Sequence, residues 1–194
     1  MAIKDLLAEF EKEESLPVDL TKVSKWIRDK GLQDEIEFIG AELDIGVIRG
    51  FLYRFRYPKG VYGDSVCAAH IYYGTNQEPE WINMVCAKEL LHLCDGTAPV
   101  KRKEEFNNLI KRLTLPMELK VLLEDPQYAL KDKFGDAYAA AVLLPMAARQ
   151  VLLKPYKDNK ITAADIARMA VIPVRYVIMV MSDEWEAVYE KMRG

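Results

Sequence analysis

A change of hydrophobic period divides this chain and restricts its fold more than any other feature. Near the start, apolar residues recur at helical spacing: Ile3, Leu6, Leu7 and Phe10 share one face of a segment that Leu16–Pro17 ends. A second helix is expected from about Asp19 to Lys30, with Leu20, Val23 and Ile27 inward and Gly31 as its stop. Residues 34–57, DEIEFIGAELDIGVIRGFLYRFRY, instead alternate and are cut by Gly40, Gly46 and Gly50. That pattern predicts two or three antiparallel strands. VCAAHIYYG adds a further strand ending at Gly74, and no breaker interrupts the stretch from Trp81 to Cys94.

More helices are expected beyond. Lys103 to Leu113 is amphipathic, Pro116 and Pro126 punctuate the next stretch, and DAYAAAVLLP is a small-residue helix suited to close packing. Thr162 is placed to cap AADIARMA, Pro173 sits at the first turn of VRYVIMVM, and Ser182 is expected to cap the last helix. Helices, then a sheet, then helices make an α+β protein rather than an alternating βαβ one. No G-x-G-x-x-G or G-x-x-x-x-G-K-[ST] occurs, which argues against dinucleotide and P-loop chemistry.

Composition narrows the class further. At 194 residues and 51% hydrophobic, the chain has material for one core. The net charge of −3 is spread in mixed sign, without the basic face that nucleic acid binding uses. The acidic N-terminal stretch has no apolar h-region, and no apolar run reaches the roughly 18 residues of a membrane span. Cys67, Cys86 and Cys94 form no C-x-x-C pair, so reduced buried thiols and a cytoplasmic location are expected.

CAKELLH, residues 86–92, is the stretch with chemical content. In H-E-x-x-H helices two imidazoles four residues apart hold one zinc, and the glutamate acts as general base on the metal-bound water. Glu89 and His92 have that spacing, but Lys88 stands where the first histidine belongs. A lysine ammonium would repel a dication. His70 is the one other histidine. Outside a metal site, His92 reads as a core histidine and Glu89 as an ion-pair partner.

A strand ending in HIYYG followed by the helix W-I-N-M-V-C-A-K-E-L-L-H-L-C-D resembles the zincin-like ImmA/IrrE metallopeptidase family, which reads A-H-E-L-G-H there. Downstream, DAYAAAVLLP resembles the family's second signature, E-A-N-x-F-A-A-x-L-L-M-P. The similarity covers Asp19 to Pro145, and the helices beyond resemble the family's tail. It implies a zincin-like domain over residues 1–155, with a small antiparallel sheet packed on helices and a C-terminal helical extension over 156–194.

Position by position, the resemblance puts Glu89 at the general base, His92 at a zinc ligand and Lys88 at the missing one. It places the family's ligand glutamate on Phe134. Asp132 and Asp136 lie two residues away, about 200° round a helix. The implied cleft contains Lys88, His70, Phe134 and Asp136. With two of three ligands replaced, the expectation is a degenerate metallopeptidase without cofactor, kept for binding a protein or regulation in a bacterial or phage setting. An extended peptide would add to Cys67–Gly74 as an edge strand. The alternative is an active zinc endopeptidase using His92, His70 and Asp136 or another carboxylate. A helix-turn-helix reader over residues 162–194 is a third reading, opposed by the apolar second helix, whose one base-reading side chain is Arg175.

Overall fold

The computed structural model describes residues 3–60, 63, 65–94, 100 and 126–194, with 126–134 as backbone. Helix α1 (Ile3–Phe10) buries Leu6, Leu7 and Phe10, the face its period predicted. Helix α2 (Leu20–Asp29) starts at Asp19, whose carboxylate accepts from the Thr21 N–H at 2.8 Å. Val23 and Ile27 of α2 are buried.

Three strands follow: β1 (Glu35–Ala41), β2 (Gly50–Pro58) and β3 (Ser65–Gly74), in the spatial order β1-β3-β2. β2 and β3 are antiparallel, with Tyr53 opposite His70. β1 runs parallel to β3, with Glu37 opposite His70. The sheet is therefore mixed, which corrects the expectation of an antiparallel one. Residues 42–49 carry the chain round the Gly74 end of β3, tied there by Gly74 N–H to Arg49 O and Thr75 N–H to Ala41 O, both 3.0 Å. β1 is thereby set down on the far side of β3, pointing the same way.

β3 is the central strand and not an edge, so its main chain is already paired on both sides. Its two alanines leave room for polar bridges between the outer strands. On the inner face, Arg54 of β2 reaches Asp34 in a bidentate pair at 2.5 and 2.9 Å, beside fully buried Ala69. On the outer face, Tyr57 and Lys59 both donate to Glu35, the residue opposite Ala68. Strand alternation puts Ala69 and Ile71 on the inner face and His70 and Tyr72 on the outer one.

Helix α3 (Pro79–Cys94) lies on the inner face. Met84 to Ala87, Glu89 to Leu91, Leu93 and Cys94 are all buried. Gly50 of β2 permits the contact, because a Cβ there would collide with Val85 and with the Tyr72 carbonyl. The other side of α3 is covered by helix α4 (Pro126–Leu143), whose Ala139 to Leu143 are buried. Pro126 is the first residue of α4. The expected helix at Lys103–Leu113 lies outside the described residues.

The chain bends by 78° from Gly135–Leu143 into Met146–Lys157, helix α5. Among the described residues no single helix is long and apolar enough to cross a membrane. Helices α6 (Ala163–Ala170), α7 (Val174–Val180) and α8 (Trp185–Arg193) follow. Thr162 closes a capping box with Asp165, as its position predicted. Pro173 is the N-cap of α7, one residue before the first turn. Ser182 does not cap α8; Glu184 occupies that position without a side-chain bond, while the Ser182 carbonyl accepts from Trp185 N–H.

One apolar cluster runs from Leu6 through α3 and α4 to Trp185 and Tyr189. Arg149 of α5 fastens the C-terminal helices to it. This side chain is 1% exposed and donates to Val180 O at 2.7 Å, Ser182 O at 3.0 Å and Glu186 at 2.8 Å. The Glu186 carboxylate is mostly solvated, so the two carbonyl bonds carry the effect. Charged donors to neutral acceptors contribute about 1.5 kcal/mol or more each. Arg149→Met is expected to lose about 3 kcal/mol, lowering Tm by roughly 10 °C in a thermal melt.

Candidate binding site on the α3 face

Trp81, Lys88 and His92, at i, i+7 and i+11, line one side of α3 and are each half-exposed. Lys88 Nζ lies 3.8 Å from the Asp136 carboxylate of α4. Its aliphatic stem runs over Gly135, where a Cβ would sit 3.3 Å from Lys88 Cγ. Asp136 thus faces α3 beside Lys88, two of the residues expected in one cleft, although it lies about 200° round the helix from position 134. The glycine beside it lets the lysine stem pass close and brings the carboxylate within reach. The side chain of Phe134 lies outside what the structure describes.

Asp136 also joins α7 to the cluster. Tyr176 donates its hydroxyl to Asp136 Oδ2 at 2.6 Å, and Arg175 stands 3.8 Å from the same oxygen while bonding to the Tyr176 hydroxyl. Tyr176 packs edge-on against Trp81, with centroids 6.0 Å apart. Two guanidiniums crowd the Trp81 indole: Arg49 at 4.0 Å and Arg175 at 4.4 Å from its centroid. Such cation–π contacts are worth about 0.5–1 kcal/mol each at a partly exposed ring. Asn83 completes the junction by donating to the carbonyl of Val171 at 3.0 Å, in the α6–α7 turn, where Val171 itself is left-handed at φ 52°.

Glu89 is buried and His92 half-buried on α3. His70 lies elsewhere. It sits on the outer face of the sheet, edge-on to Phe55 at 4.8 Å, 3.5 Å from the Tyr72 hydroxyl and 3.6 Å from Glu37. The sheet separates it from α3, so the expectation that it lines the same cleft is corrected. The alternation of Ala69 and Ile71 against His70 and Tyr72 was the signal for this.

These donors do not fit the three-ligand zinc centre that the resemblance implies. An ammonium with no lone pair occupies the first-ligand position and faces a carboxylate. His70 is on the wrong side of the sheet, and Asp136 is engaged by Tyr176, Arg175 and Lys88. Among the described residues no three His, Cys, Asp or Glu side chains gather as a potential metal site.

Sequence reasoning missed the roles of Arg49, Trp81 and Tyr176. The helical repeat linking Trp81 to Lys88 was legible; the convergence of Arg49 and α7 on that stripe was not. The chain matches no protein-family model and no curated protein.

Burial sets the titration of three groups around this core. Burial, then the charge of Glu89, pushes the Cys86 thiol up to about 12 from 9.0. Burial, then the bond to Asp136, pushes Tyr176 up to about 12 from 10.0, and burial does the same to Tyr189. Each folded group keeps a proton that the unfolded chain has already released, so the stability they contribute falls as pH rises through this window. Cys86→Ala is expected to make the fall in stability between pH 9.0 and pH 10.0 shallower, while the fall above pH 10.0 from the tyrosines remains. Urea midpoints measured against pH check this.

Proposed function

We propose that this chain is a degenerate, zincin-like relative of the ImmA/IrrE metallopeptidases that binds a protein segment on its α3 face and does not hydrolyse it. The carrying observation is Lys88: at the first-ligand position it presents a cation to Asp136 at 3.8 Å, with its stem seated on Gly135. A pocket built this way replaces a dication by a tethered ammonium, which spares Asp136 the several kcal/mol that an uncompensated, partly buried carboxylate costs. Glu89 then has no metal-bound water to activate.

Binding by addition to β3 is not retained in this reading, since that strand has no free side. The segment instead lies across the half-exposed side chains of α3 and α7. The reading places the protein in the cytoplasm, in a bacterial or phage setting, as the resemblance implies.

Metal analysis of freshly purified full-length chain tests this, together with incubation against a disordered protein such as casein. Zinc far below one per chain and uncut casein are expected. Stoichiometric zinc with chelator-sensitive cleavage would reinstate the endopeptidase reading.

A further inference from the structure

The Arg49–Trp81–Arg175 group has more positive charge than its own fold uses. Arg49 bonds to the Gln77 side chain at 3.4 Å and lies over Trp81, and no carboxylate stands within 4 Å of it among the described residues. Arg175 is 60% exposed, and the one carboxylate near it among the described residues, Asp136, already accepts from Tyr176 and faces Lys88. Glu78 and Glu80, close to Trp81 in sequence, form no ion pair with either arginine. Two guanidiniums are thus held by one indole, and among the described residues the one carboxylate beside them, Asp136, pairs with Arg175 and not with Arg49.

Exposed apolar residues adjoin them. On α7, Val174 and Ile178 are 42% and 55% exposed. With Arg175 they span about 100° of the helix surface. Guanidinium forks match carboxylates geometrically, and an indole holding them in place lowers the ordering cost of binding. A surface that mixes fixed arginines with valine and isoleucine suits an acidic segment carrying apolar side chains.

We infer that the partner is an acidic peptide segment whose carboxylates pair with Arg49 and Arg175 while its apolar residues cover Val174 and Ile178. This rests on the proposed function for the occupant being a protein segment. The charge pairing itself depends only on the arginine geometry.

The test uses the full chain and a short fluorescein-labelled peptide of alternating glutamate and leucine, followed by anisotropy at two salt concentrations. The same peptide with glutamine for glutamate is the control. The glutamate peptide is expected to bind, more weakly at high salt, and to shift tryptophan emission as the arginines move on Trp81. The glutamine peptide, and the glutamate peptide on Arg49→Gln/Arg175→Gln, are each expected to bind about tenfold more weakly, as for loss of about 1.4 kcal/mol of charge pairing.

Arg49→Gln alone, which breaks no ion pair among the described residues, serves if the double variant is unstable; a measurable loss is expected there too. Equal binding of the two peptides, binding indifferent to both arginine variants, or displacement by an RNA oligonucleotide at lower concentration than by free glutamate peptide would overturn the inference. Mass spectrometry of the recovered peptide separates the two readings. A cleaved peptide would sink the non-hydrolytic function and leave the arginine pairing standing, whereas an intact peptide that ignores the arginines would sink the pairing alone.

Discussion

Helix α3 is apolar around most of its circumference, and water must be kept from nearly all of it. A helix of that kind is stable only when covered on several sides. Leu90 and Leu91 alone, at 0% and 3% exposure, account for roughly 1.5–3 kcal/mol each. The rest of the molecule supplies the cover: the inner face of the sheet through Ala69, Ile71 and Gly50, and the alanine-rich half of α4. Small residues at both contacts allow backbones to come close. Beyond Asn83 the side chains of α3 left half-exposed are Lys88 and His92, in line with Trp81, so the site is the residue of the packing problem.

That origin explains the chemistry of the site. Side chains that must emerge between α3, α4 and α7 are long or aromatic, and each finds a partner across a helix boundary: Lys88 and Tyr176 on Asp136, Arg175 on Trp81. Arg149, buried one layer deeper, holds the end of α7 against α5 through the Val180 carbonyl. The polar cluster at the surface and the buried arginine therefore act on opposite ends of the same short helix.

Much of the fold was legible in the sequence because it rests on period and on local capping. The inward faces of α1 and α2, the α+β order and the Thr162 cap all follow from residues within one or two turns of each other. Strand order was not legible. Alternation decides which face a residue takes and says nothing about which strand lies beside it, so β1 and β2 looked like neighbours when β3 separates them. The Lys88–Asp136 contact itself was not legible: a phase counted along α4 does not include the space that Gly135 opens for the lysine stem. Arg49 joins the site from the loop before β2, where no periodicity applies.

The parallel pairing of β1 on β3 has a consequence for how the chain gains its structure. β2 and β3 are joined by a short connection and can zip together locally, whereas Glu35 meets Ala68 only after everything between them has been placed. Pairing over such a separation requires a larger loop to close first. Loop-closure entropy therefore favours a β2–β3 hairpin as the earlier pairing and β1 as the later one, with Asp34 bringing its bond to Arg54 along with β1. A nascent chain that has emerged only as far as β2 holds a first strand with nowhere to dock.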